Sequence, residues 1–82
     1  MKQLELLGTD GCHLCELAQE IVWDVAIEQN ISVAHRDIAD DDELVERYGV
    51  RIPVVRVAGD SQQPDLGWPF DHQQMRDWLK TL

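Results

Sequence analysis

The only two cysteines of the chain, Cys12 and Cys15, stand three positions apart in the run Gly11-Cys12-His13-Leu14-Cys15. A disulfide between them would close a loop of four residues, worth only about 2 kcal/mol in the chain-entropy account. Bridges kept for stability normally close longer loops in secreted proteins, so this spacing suits chemistry better. Side chains at i and i+3 of a first helical turn are neighbours, within the reach that a disulfide needs. A helix N-terminus also offers unpaired N–H groups and a partial positive charge, both of which favour a thiolate over a thiol. Cys12 is therefore the candidate nucleophile and Cys15 the resolving thiol. A Cys12 thiolate would attack a substrate disulfide, and Cys15 would then release the mixed disulfide.

The neighbours pull the nucleophile both ways. A protonated His13 favours the thiolate, whereas Asp10 and Glu16 oppose it. Zinc sites use the same cysteine spacing but need two further ligands, and the chain has no second C-x-x-C. His35 and His72 show no ligand-pair spacing, so no residue is assigned to a metal. Two other functions compete with disulfide exchange. A soft thiolate pair could carry Cu(I), and a redox-inactive interaction module could keep the same fold. Copper-carrier domains run βαββαβ and place a methionine two residues before the first cysteine, where this chain has Asp10. The intact cysteine pair argues against the inactive module.

Periodicity supplies the elements that must hold the pair. Residues 3–7 alternate and then turn continuously apolar, as a strand buried on at least one face does. Gly8-Thr9-Asp10-Gly11 is loop chemistry, with two glycines for unusual backbone angles. From about Cys12 to Gln29, Leu14, Leu17, Ala18, Ile21, Val22, Val25 and Ala26 recur as one helical apolar stripe, and Asn30 is its stop. A second strand is expected around 32–37. Asp40 with Glu43 resembles a capping box and opens the next helix. Leu44, Val45 and Tyr48 form its apolar side, and Gly49 takes the C′ position.

Residues 54–58 read as a third strand, entered through Ile52-Pro53. Gly59-Asp60-Ser61 turns the chain, and a weak edge strand occupies about 64–68. Asp71 with Gln74 caps a last helix whose inner face is Met75, Trp78, Leu79 and Leu82. Trp23, Trp68 and Trp78 read as packing, and the acidic run 40–43 as a helix start rather than a calcium loop. The order is βαβαββα. Two parallel strands joined by a helical crossover and followed by a hairpin give an α/β fold, a four-stranded mixed sheet flanked by three helices. The cysteines fall at the carboxyl end of the first strand, where sites in such sheets gather.

Eighty-two residues are expected to form a single domain, 1–82. Seven Lys and Arg against sixteen Asp and Glu give a net charge of −9. Scattered cations in so acidic a chain exclude a nucleic-acid binder, and an anionic membrane surface would repel it. No apolar run reaches the length of a span or a signal peptide, so a cytoplasmic protein is expected. No oligomerisation signal is present, and a monomer is the default.

Cys12-His13-Leu14-Cys15 after the first strand, Tyr48-Gly49-Val50-Arg51-Ile52-Pro53-Val54 before the third, and the element order over 3–82 resemble the glutaredoxin branch of the thioredoxin-fold family. The chain looks closest to short bacterial glutaredoxin-like proteins that share the Gly-Cys-His-Leu-Cys run and Trp68-Pro69-Phe70-Asp71. The resemblance implies a thioredoxin/glutaredoxin-like fold and a thiol–disulfide oxidoreductase acting on a protein or small-molecule disulfide. It implies no resident cofactor, with glutathione as a co-substrate to be tested and the reducing partner unnamed.

It further implies a cis Ile52–Pro53 peptide facing the cysteines. The Ile52 backbone would pair with an extended substrate segment, and Pro53 would keep metal ligands off the thiols. His13 and Arg51 then count as substrate contacts, Arg51 taking a carboxylate. Asp71 could meet a glutathione amino group, although capping is its first role. Three departures from the family pattern bear on glutathione. Glutathione users carry Gly-Gly and acidic residues before the last helix, where this chain has Gly67-Trp68-Pro69-Phe70-Asp71. Leu14 replaces the usual aromatic residue between the cysteines, and no lysine shortly precedes Cys12. These departures weaken the case for glutathione as co-substrate, and with it the case for an iron–sulfur cluster held by Cys12 and glutathione, while leaving both open to test.

Overall fold

The computed structural model describes residues 3–59 and 64–82. Its elements are β1 (Gln3–Gly8), α1 (His13–Gln29), β2 (Ser32–Asp37), α2 (Asp42–Tyr48), β3 (Val54–Val57), β4 (Leu66–Gly67) and α3 (His72–Lys80). This is the expected βαβαββα order. The four strands make one sheet in the order β2-β1-β3-β4. β1 runs parallel to β2, and the pairs β1/β3 and β3/β4 are antiparallel.

β1 holds the centre because its alternation feeds both faces. Leu4 and Leu6 join Ala18, Val22 and Val25 of α1 and Met75 and Trp78 of α3 in one core. Leu7 turns the other way, into a smaller core with Ile38, Leu44, Tyr48 and Val54. All three leucines are fully buried, each worth about 1.5–3 kcal/mol. Rim ion pairs, at about 1 kcal/mol or less, cannot match that. The middle of the sheet thus fixes where β1 ends and the cysteine loop begins. One ion pair and one histidine contact then tie α1 to α3: Arg76 grips both Glu28 oxygens at 2.9 Å, and His72 Nε2 lies within hydrogen-bond distance, 3.0 Å, of Asp24 Oδ2.

Several local expectations need correcting. The buried seam of α1 is Cys15, Ala18, Val22, Val25 and Ala26, while Leu14 and Leu17 stay exposed at 46% and 39%. The N-cap of α2 is Asp41, whose carboxylate accepts from the Glu43 and Leu44 N–H groups, rather than Asp40. Val45 faces solvent, and only Leu44 and Tyr48 are buried on that helix. Gly49 keeps right-handed angles (φ −54°). A Cβ there would press on the Val45 carbonyl oxygen, so crowding rather than a left-handed turn explains the glycine.

Other features match their signals. Asn30 ends α1 in the left-handed region, φ 55°, which asparagine tolerates. Asp71 and Gln74 form a complete capping box. The edge strand is only Leu66–Gly67, and the Asp60 and Ser61 of the expected turn lie outside the described residues. Trp78 is buried, and Trp23 and Trp68 pack half-buried against the larger core. Among the described residues, no helix is long and apolar enough to cross a membrane.

Candidate active site

Cys12 is the N-cap of α1, with extended backbone (φ −88°, ψ 104°), and its sulfur accepts the Cys15 N–H at 3.1 Å. Sulfur thus occupies the place where an oxygen side chain usually satisfies an orphan helical donor. Cys12 and Cys15 are joined as a disulfide, with Cα atoms 5.2 Å apart. Cys12 is half-buried and Cys15 only 4% exposed. Cys12 therefore keeps partial exposure, while Cys15 backs onto the end of β1. That asymmetry suits an attacking and a resolving thiol. The same i, i+3 step that pairs the cysteines also puts Cys15 three residues before Ala18, on the buried seam.

The glycines before the pair serve different ends. Gly11 has φ 77°, a left-handed angle that turns the chain into α1. Gly8 has no such angle; it is the last residue of β1. A Cβ on Gly8 would stand 3.0 Å from Cys15 Sγ and 3.2 Å from Cys15 Cβ. Its missing side chain is what lets the strand approach the buried sulfur.

A cleft of about 260 Å³ opens beside the disulfide, lined by Thr9, Asp10, Gly11, Cys12, Cys15, Glu16, Gln19 and His35. Of the residues singled out for substrate contact, none belongs to this lining. His13 projects into solvent, 82% exposed, with Nδ1 3.6 Å from Glu16. Asp71 spends its carboxylate on the Gln74 N–H at 2.7 Å. His35, by contrast, lines the cleft although it showed no ligand-pair spacing and was not among the expected site residues. The signal that places it is non-local: parallel register sets His35 beside Leu6 of β1.

Ile52 and Pro53 stand at the same end of the sheet, because Val54 pairs with Leu7. The Ile52–Pro53 peptide is cis, as is Trp68–Pro69. The Ile52 N–H donates to the Tyr48 carbonyl at 3.0 Å, and the Pro53 carbonyl accepts the Trp68 N–H at 3.0 Å. The Ile52 N–H is therefore spent inside the fold. Arg51 likewise is already engaged. Both of its terminal nitrogens bond the Asp65 carboxylate, and its guanidinium lies 5.6 Å from the Tyr48 ring centre. Those hydrogen bonds to Asp65 hold Arg51 above its ordinary pKa.

Comparison with known proteins agrees with this architecture. Residues 3–80 match the family described as glutaredoxin-like domain (DUF836). The X-ray structure of structural-genomics target protein XcR50 from X. campestris is 35% identical, with TM-score 0.79, over 96% of this chain and 97% of that one. Its solution structure is also 35% identical, with TM-score 0.76, covering 100% and 96% of the two chains. Thioredoxin 1 from Thermosipho africanus, 15% identical, superposes with TM-score 0.70 over 96% of this chain and 91% of that one, a likeness of fold. No protein of curated function matches the chain. The fold is that of the thioredoxin superfamily, and the chain belongs to the glutaredoxin-like domain (DUF836) family.

Proposed function

We propose that this protein is a thiol–disulfide oxidoreductase that cycles Cys12 and Cys15 against a protein or low-molecular-weight disulfide. The observation that carries the reading is the asymmetric pair at the start of α1: a half-buried Cys12 that caps the helix and a Cys15 sealed against β1. In the reduced protein, the Cys12 thiolate accepts the Cys15 N–H and lies at the positive end of α1, which favours ionisation. It attacks a substrate sulfur, one substrate thiolate leaves, and a mixed disulfide on Cys12 results. Cys15 then attacks Cys12 Sγ, closes the intramolecular disulfide and releases the second substrate thiolate. Two electrons pass from the cysteine pair to the substrate. Glutathione is a co-substrate to test rather than a built-in partner, since Asp71 is occupied as a cap.

The deciding experiment is a redox titration of metal-free protein in graded thiol–disulfide buffers, followed by alkylation and mass spectrometry. A reversible two-electron midpoint between roughly −180 and −290 mV supports the reading. A pair that resists oxidation across that range overturns it, and Cu(I) affinity becomes the next measurement.

A further inference from the structure

His35 lies on the edge strand β2, and parallel register pairs it with Leu6. Paired residues of neighbouring strands project to the same face, and Leu6 belongs to the core beneath α1. His35 therefore projects toward α1, at the end of the sheet where Cys15 is seated. Gly8 locates the two groups relative to one another. The point where a Gly8 Cβ would sit is 3.0 Å from Cys15 Sγ and 3.5 Å from His35 Nε2. Taken end to end, those distances hold the sulfur and the ring nitrogen within 6.5 Å of each other. That is within reach of proton transfer through one water, and both residues line a cleft of about 260 Å³ with room for it.

The buried sulfur needs such a partner. Cys15 is 4% exposed, and a thiol in that setting must lose its proton before it can attack. The charged and titratable groups around His35 are Cys12, Cys15, Asp10 and Glu16 in the cleft lining, and Asp37 two residues along the same face of β2. Glu5 belongs to the opposite face, bonded to Arg56. Carboxylates are far weaker bases than an imidazole, so Asp10 and Glu16 are poor acceptors for a thiol proton. Imidazole is the side chain that exchanges protons between pH 5 and 8.

We infer that His35 is the proton acceptor and donor for Cys15. The assignment rests on the disulfide-exchange reading above. In the resolving step His35 takes the Cys15 S–H proton, and the Cys15 thiolate attacks Cys12 Sγ. The Cys12–Cys15 bond forms, the bond from Cys12 to the substrate sulfur breaks, and the departing substrate thiolate is protonated by the imidazolium or by solvent. In the reverse direction a thiolate attacks Cys12, and the imidazolium protonates Cys15 as it leaves.

The test uses the reduced full-length protein and a nitrobenzoate disulfide whose thiolate absorbs visible light, mixed by stopped flow. The first release reports attack by Cys12 and the second reports resolution by Cys15. In His35→Gln the second release should slow roughly a hundred-fold near neutral pH relative to the first. The gap should close at alkaline pH, where thiols ionise unaided. Free imidazole should restore the second release in His35→Ala. If His35→Gln disturbs the sheet edge, His35→Asn and the imidazole rescue decide the matter. A second release with unchanged rate and pH profile in these variants overturns the inference while leaving disulfide exchange intact. A wild-type protein that gives no second release overturns the exchange reading itself.

Discussion

On the β2 side of the Cys12–Cys15 bridge, the chain leaves a polar cleft in which His35, Asp10 and Glu16 face solvent beside the sulfurs. On the β3 side, the corresponding groups are already bonded within the fold. The Ile52 N–H and the Pro53 carbonyl are tied to Tyr48 and Trp68, Pro53 is fully buried, and Arg51 is held by Asp65. Polar groups bound to one another shape a wall, whereas solvated ones remain available to exchange protons. The comparison therefore separates two duties at one disulfide: the β3 flank fixes form, and the β2 flank carries the proton traffic that sulfur chemistry requires.

The sharpest way to break that picture is at the sulfurs themselves. Cys12→Ser should reduce disulfide reductase activity to background, and Cys15→Ser should accumulate mixed disulfides visible by mass spectrometry. Retained turnover in the first variant would reject Cys12 as nucleophile. A smaller effect contrasts two glycines. Gly8→Ala places a methyl group against a buried sulfur that cannot retreat, because Cys15 is locked into the first turn of α1. Overpacking of this kind costs about 1–3 kcal/mol, measurable as a lower urea midpoint.

Asp71→Ala removes a complete capping box from α3 and should cost about 1 kcal/mol. Asp71→Asn, which still caps, should stay close to wild type in the same urea assay. The smallest effects belong to the β3 flank. A Cβ on Gly67 meets only Arg51 Nη2 at 3.9 Å, so Gly67→Ala should shift stability by no more than about 0.5 kcal/mol. Arg51→Ala should cost under about 1 kcal/mol, with the loss fading in high salt, because its side chain is 45% exposed. Equal penalties at Gly8 and Gly67 would erase the contrast between the flanks.

What could be read in advance follows the range of the interactions. Local signals carried through: the alternation of β1, the Asp71/Gln74 box and the Asn30 stop each depend on residues within a few positions. The run Asp40-Asp41-Asp42-Glu43 defeated local reading at α2, since any of several acids could cap and tertiary packing of Leu44 and Tyr48 chose Asp41. Leu14 and Leu17 satisfied the helical spacing but lie beside the seam that the sheet covers. Gly8 read as a flexible loop residue because nothing nearby in the chain shows how closely Cys15 approaches it. His35 was missed for the same reason. Its place beside the sulfurs comes from strand register, which joins residues 6 and 35 and is written in neither segment alone. Arg51 read as an available cation because its partner, Asp65, arrives from fourteen positions away.

The sulfur cap on α1 couples two equilibria that are usually measured apart. Cys12 Sγ holds the Cys15 N–H, and a thiolate accepts a hydrogen bond more strongly than a disulfide sulfur does. Folding therefore rewards the reduced, ionised form at this position. By a closed thermodynamic cycle, the difference in folding free energy between the reduced and oxidised proteins equals the difference in reduction free energy between the folded and unfolded chains. For a two-electron couple, about 30 mV corresponds to 1.4 kcal/mol. Two denaturation curves, one for each redox form, thus measure how far the fold itself sets the oxidising power of the pair.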